Sequence, residues 1–362
     1  MESEVKNSTE NAESSSKRSR LKWWLQLSLY GFFIVAGQSV ATLLGRLYFN
    51  NGGKSKWIAT LVQVVGFPVL LPFQWPSNNI TNPSSMINLA SVYLVLGILV
   101  AGDCMLYSIG LQYLPVTTYS LTCATQLGFI SLFSYFINRQ KFTPYIVNSL
   151  VLLTISSVLL VFQSGSGDSN KMSRRKYVIG FICTLGASAG AALLLSLTQL
   201  AFQKIIKREN IRAVIDMVVY QCLVASVVVV IGIFASGDWK KVRGEMEVYR
   251  SGKLSYIMNL VWTSVSWQVF VVGVVGLVFK VSSLFSNLII TLGLPVAPIL
   301  AVVFLHDRLT GLKAVALLLA MWGSFSYIYQ HYLDDLKIKE KQTMITSNDG
   351  DAKVTRIVNQ SG

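Results

Sequence analysis

Hydrophobic positions in this chain neither alternate nor keep to one helical face. They come instead in long runs, at about 23–44, 57–73, 86–110, 114–137, 144–162, 177–203, 212–235, 254–279, 281–304 and 311–332. A helix needs roughly 17–25 apolar residues to cross a bilayer, so each run is long enough to do so. Polar stretches part them: Asn50-Asn51-Gly52-Gly53, Pro76 through Ser85, Asn138 through Lys141, and Ser164 through Ser169. Pro115 and Pro144 stand near the starts of the fourth and fifth runs, where a missing backbone N–H costs nothing. The pattern predicts an all-α integral membrane protein of ten transmembrane helices.

The third and fourth runs join almost directly, and so do the eighth and ninth. "GLQYLPVTTYSL" from Gly110 is echoed by "GLVFKVSSLFSN" from Gly276, and "FINRQKFT" by "FLHDRLT" farther on. The offset is about half of the membrane region. Two halves of five helices must be inverted relative to each other because five is odd, and inverted repeats with a site at their interface are a transporter architecture. The predicted organisation is a disordered tail over 1–22, a five-helix repeat over 23–162, a linker over 163–176, a second repeat over 177–332, and a disordered tail over 333–362.

Composition agrees with the runs. Of 362 residues, 52% are hydrophobic and 13% charged, and mean hydropathy is +0.53. A soluble domain carries about 25% charged residues. The net charge of +14 is scattered over short loops, which suits lipid-facing loop ends and argues against nucleic acid. Lys and Arg slightly favour the side shared by both tails, which leans toward cytosolic termini. The four cysteines lie far apart inside apolar runs and there are two histidines, so neither a metal site nor a cofactor is expected. The spans contain no HExxH, no clustered acidic motif and no Ser/His/Asp set, so an integral membrane enzyme is disfavoured.

Polar groups inside hydrocarbon are costly and are functional candidates by default. The third run places Asp103, Tyr107 and Gly110 on one helical face, and the fourth carries Thr118, Thr122, Thr125 and Gln126. The first holds Gln38 and Thr42, with Arg46 near its end. The eighth has Thr263 and Ser266 between Trp262 and Trp267, and the ninth has Ser283, Ser286 and Asn287. Most single hydroxyls bond their own helix. Gly186-x-x-x-Gly190 is expected to permit close helix packing. Asp103 is different: an ionised carboxylate there must be paired, wetted by a cavity or protonated part of the time, and Arg46 is the nearest structural partner the sequence offers.

The strings "YSIGLQYLPVTTYSLTCATQLGF", "FINRQKFTP", "DMVVYQCLVAS", "VWTSVSWQVFVVGVVGL" and "SSLFSNLI" closely resemble the plant purine permeases of the drug/metabolite transporter superfamily. The resemblance runs from about Leu29 to Asp335. It implies ten helices in two inverted halves and proton-coupled uptake of nucleobases such as adenine, with cytokinin bases, xanthines, pyridoxine or alkaloids as related ligands. That family usually reads Asp-Asn where this chain has Asp103-Cys104, and often Asn where it has Ile130, which bears on the choice of ligand.

A purine needs an aromatic surface for its face and amides or hydroxyls for its edge. Tyr107, Phe129 and Trp262 are the expected face, and Gln38, Thr118, Gln126 and Asn287 the expected edge. Asp103 is the expected proton carrier, with direct binding of the purine as the alternative role. The expected protein is a multi-pass transporter of the plasma membrane, whose partners are a purine-type small molecule, protons and lipid. An exchanger of nucleotide sugars or triose phosphates would require Lys or Arg within its helices, and here only Arg46 and Lys280 come near, both at helix ends.

Overall fold

The computed structural model describes residues 2–74, 83–138, 174–206 and 211–305, with isolated helical positions within 148–155 and 311–322. Among the described residues every regular element is helical. The helices are α1 (Glu2–Asn50), α2 (Lys56–Val64), a 3₁₀ segment Phe67–Phe73, α3 (Pro83–Tyr113), α4 (Val116–Cys123), α5 (Gln126–Asn138) and α6 (Arg174–Ala201). A π-helical turn Phe202–Ile206 follows, and then α7 (Ile211–Ser236), α8 (Trp239–Val248), α9 (Gly252–Lys280), α10 (Ser283–Gly293) and α11 (Val296–Leu305).

Among the described residues eight stretches are long and apolar enough to cross a membrane: Leu21–Asn50, Lys56–Phe73, Ile87–Tyr113, Val116–Ile137, Arg174–Ile206, Ile211–Ser236, Gly252–Lys280 and Ser283–Leu305. They fall on eight of the ten expected runs. The other two, 144–162 and 311–332, lie outside the described residues apart from the isolated positions, as do most of the expected linker and all of the expected C-terminal tail. Two stretches outside the apolar runs are helical. The stretch 2–22, expected as a disordered tail, belongs to α1, and no Gly or Pro interrupts the chain before Gly31. The loop expected between the seventh and eighth runs contains α8.

Local chemistry sets the ends. Ser55 caps α2 by accepting the Ile58 N–H at 3.3 Å, and Ser282 caps α10 by accepting the Phe285 N–H at 3.1 Å. α2 stops at Val64 because Pro68 cannot continue it, and the chain tightens into the 3₁₀ segment.

The fourth and ninth runs each break in the middle. At Ala124–Thr125 the backbone switches to shorter-range bonding: Thr125 N–H to Thr122 O at 3.1 Å, Leu127 N–H to Ala124 O at 3.2 Å and Gly128 N–H to Thr125 O at 2.9 Å. The Thr122 and Thr125 hydroxyls bond back to Thr118 O (2.8 Å) and Thr122 O (2.7 Å), a pattern that bends helices. At Leu294–Pro295 proline supplies the break, and the Thr291 hydroxyl again bonds back, to Asn287 O at 2.9 Å. The two breaks occupy corresponding places in the halves marked by the sequence echo.

α1 packs most extensively on α9, α3 on α6 and α7, and α5 on α6. The α1–α9 seam is closed by glycine. A Cβ on Gly37 would stand 2.7 Å from Phe270 N and 2.8 Å from Ser266 O, and one on Gly273 would stand 2.8 Å from Tyr30 O. Backbone therefore meets backbone, as small residues allow between membrane helices. The end of α1, the starts of α2 and α9 and the end of α3 gather at one side, here termed the Asn50 end. Arg46 Nη1 donates there to the carbonyls of Leu111, Gln112 and Leu114 at 2.9, 3.4 and 3.0 Å, capping the end of α3.

Candidate functional site

Between these helices lies a cavity of about 160 Å³. α1, α2, α3, α6, α7 and α9 all contribute to its wall, as do both halves of the broken fourth run and α10. Such a chamber is polar at a few points and apolar elsewhere, the usual make-up of a small-molecule site.

Asp103 and Tyr107, one turn apart on α3, both line it. Asp103 Oδ1 is buried and has no hydrogen-bond partner among the described residues. Across from it stands Gly190 of α6, where a Cβ would run into that same oxygen. The glycine expected to serve close packing thus makes room for the carboxylate.

The polar rim continues with Gln38 and Thr42 of α1, Gln63 of α2, Gln126 of α5 and Gln221 of α7. Tyr107 Oη donates to Gln126 Oε1 at 3.4 Å. Gln63 is held by its Nε2, which donates to Ala59 O, Cys104 O and Ser108 Oγ at 3.1, 3.3 and 2.7 Å. Gln38 Oε1, by contrast, is buried and unpartnered. The cavity therefore presents two uncommitted acceptors, Asp103 Oδ1 and Gln38 Oε1.

The aromatic surface is only partly the expected one. Tyr107 packs edge-on to Tyr119 of α4 with centroids 6.1 Å apart, and Trp267 to Phe270 of α9 at 5.4 Å; all four rings line the cavity. Trp262 is 60% exposed on the outer face of α9, beside exposed Met258 and Val261, and takes no part in the wall. It lies five positions before Trp267, which carries the two rings to different faces of the helix. Phe129 packs against the hydrophobic core instead of the cavity. Thr118 is buried within α4, and its carbonyl is occupied by Thr122. Asn287 is fully buried behind the wall, with neither amide atom partnered.

Of the eight residues singled out from the sequence, the structure brings together Asp103, Tyr107, Gln38 and Gln126, and leaves Thr118, Phe129, Trp262 and Asn287 outside the wall. Sequence reasoning missed Tyr119 and Phe270. Their signal was weak: helical spacing from Cys123 and Gln126 for the first, and from Trp267 for the second.

The lining holds one carboxylate and no Lys or Arg. A phosphorylated substrate would be left without a counter-charge, whereas a flat neutral heterocycle finds aromatic faces and amide edges. Among the described residues no group of His, Cys, Asp and Glu is placed to hold a metal ion.

Comparison with known proteins bears on the same chemistry. Residues 25–337 match the family described as purine nucleobase transmembrane transport. Probable purine permease 10 of Arabidopsis thaliana is 54% identical over 354 residues, covering 96% of this chain and 91% of that protein. Purine permease 21 of the same plant is 55% identical over 337 residues, covering 91% and 86%. A cavity walled by so many spanning helices, neutral but for one acid, is thus the chamber of a carrier and not of an enzyme, and the chain belongs to the purine nucleobase transmembrane transport family as a multi-pass integral membrane transporter.

Proposed function

We propose that this protein imports purine nucleobases, adenine and cytokinin bases among them, together with protons, by alternating access across the plasma membrane, with both termini in the cytosol. The observation that carries the reading is the placement of Asp103: a lone carboxylate with an unpartnered oxygen on the wall of a cavity otherwise free of charge.

The cavity supplies purine chemistry. Tyr107, Tyr119, Trp267 and Phe270 offer faces for a flat ring, and Gln38, Gln126 and Asp103 offer partners for its edge. Adenine presents N–H donors at its exocyclic amine and its imidazole ring, and both uncommitted acceptors suit such donors. A ligand lacking them leaves buried acceptors unpaired, which is the usual basis of strong discrimination. The relatives named above are purine permeases, which supports the same substrate class.

Adenine is neutral near neutral pH, so uphill uptake needs a charge that travels with it, and Asp103 is the group on the wall able to carry a proton. An ionised Asp at the centre of a membrane helix costs about 2.5–3.5 kcal/mol, and taking up a proton removes that cost as the chamber closes around the substrate. The paired breaks at Ala124–Thr125 and Leu294–Pro295 support two inverted five-helix halves that rock about the site, since discontinuous helices in corresponding positions accompany such repeats.

Proteoliposomes with an alkaline interior test the reading. Wild type is expected to concentrate labelled adenine. Asp103→Asn is expected to keep adenine exchange at equilibrium and to lose accumulation driven by the pH gradient. Wild-type accumulation by the variant would sink the proposal.

A further inference from the structure

At the Asn50 end the cavity does not open freely. A narrow continuation of about 20 Å³ shares Gln63, Tyr107, Tyr119 and Trp267 with the main chamber and ends against Tyr48, which is only 2% exposed. Above Tyr48 lies α8, a short, largely polar helix. Its Val242 and Met246 pack on the cluster formed by Tyr48, Tyr249 and Tyr256.

The contacts between α8 and the α1–α2 turn are polar and centre on two carboxylates, Glu245 within the helix and Asp238 at its start. Glu245 is the one buried residue of α8, at 8% exposure. Its Oε2 accepts from the Tyr48 hydroxyl at 2.9 Å, and its Oε1 accepts from the Lys54 N–H at 3.2 Å. Asp238, at the start of α8, accepts from Ser55 Oγ at 2.9 Å and pairs with Lys241 at 2.9 Å. Beyond the helix, the Arg250 N–H reaches Asn51 O at 3.0 Å. A Cβ on Gly53 would collide with the Tyr48 ring, so the turn is fitted to hold that tyrosine under the carboxylate.

We propose that α8 is a lid over the Asn50 end of the transport chamber and that Glu245 is the positioning residue that fastens it, by gripping Tyr48 at the mouth and the backbone of the α1–α2 turn together. A buried carboxylate with two donors from another element is a poor fit to a passive loop. Burying it costs free energy that an exposed loop acid never meets. A lid has a use for that cost, because a contact balanced between burial and hydration opens and closes readily. Opening also frees Tyr48, which ends the continuation of the chamber, so one movement clears the path to Gln63 and Tyr107. The lid rests on the alternating-access reading of the cavity but not on Asp103 as proton carrier.

The native cysteines supply the test. Cys104, Cys123 and Cys222 line the chamber, whereas Cys183 does not. In full-length protein carrying Cys183→Ser, a membrane-impermeant maleimide is applied to sealed vesicles of each orientation, and mass spectrometry reads labelling at the three chamber cysteines. Tyr48→Phe removes one hydrogen bond to a charged group and is expected to raise labelling from the Asn50 face on the order of tenfold, with no rise from the opposite face. Glu245→Ala is expected to raise it at least as much. A wild-type rate in Tyr48→Phe overturns the proposal whatever Glu245→Ala does, and so does a rise from both faces alike. The assay uses neither adenine nor a pH gradient, so a failure of proton coupling in the uptake experiment leaves it standing.

Discussion

Glu245 holds its carboxyl group where water barely reaches. Burial pushes the group above the ordinary carboxylate range, against the opposing pull of the Tyr48 hydroxyl and the backbone N–H groups of Lys54 and Ser55. The titratable groups around it are Tyr48 of α1, Tyr256 of α9, and Asp238 and Lys241 of α8 itself. An open lid returns Glu245 to water and to ordinary acidity, so the closed form binds the proton more tightly. Proton uptake therefore favours closure; the effect is complete below the ordinary carboxylate value and fades as pH rises through the raised one. Labelling of the chamber cysteines from the Asn50 face, divided by that in Glu245→Gln to remove the pH dependence of the thiols, is expected to fall on acidification. A flat or rising ratio contradicts this sign.

The two tryptophans of α9 give a second contrast among single residues. Trp267 faces the chamber, and Trp262 faces outward with 60% exposure. Stacking of a base on an aromatic side chain is worth about 1–3 kcal/mol. Trp267→Leu is accordingly expected to weaken the apparent affinity for adenine roughly tenfold or more. Trp262→Leu should leave it within about twofold, since surface substitutions usually stay within about 0.5 kcal/mol; competition uptake at varied adenine concentration reads both. The sequence made Asp103, Gln38 and Gln126 legible because a polar atom inside an apolar run has few reasons to be there. It did not separate Trp267 from Trp262, because an aromatic ring suits lipid and packed interior equally, and periodicity says nothing about which face is which when both are apolar.

At the scale of elements, what was legible was length. Among the described residues, runs long enough to span became helices of spanning length, and the break between α10 and α11 falls at Pro295, which cannot continue a helix. The break between α4 and α5 carried no such mark, since it arises from threonine hydroxyls competing for carbonyls their own helix would use. α8 went unseen for the opposite reason: it is too short and too polar to register as a run, and what orders it is a buried contact with a turn far away in sequence. The glycine seam makes an element-level prediction. Gly37→Ala would push a methyl into the backbone of α9 and is expected to lower stability by about 1–3 kcal/mol. Gly102 has nothing within 4 Å of its would-be Cβ, so Gly102→Ala is expected to raise stability by roughly 0.5–1 kcal/mol. Thermal unfolding of the two variants in detergent should move in opposite directions.

For the whole molecule, the all-helical, multi-spanning class could be read directly, but the chamber could not. Its wall draws one or a few residues from each of many helices, and the sequence says nothing of which neighbours those helices choose. The α1–α9 seam shows how far that choice departs from chain order. The first spanning helix has its most extensive contact with α9, far along the chain, backbone against backbone. Separating them would strip both of that contact, so α1 and α9 are held as one unit. The tightest helix seam among the described residues therefore joins the first apolar run to the eighth and not to its neighbours in sequence.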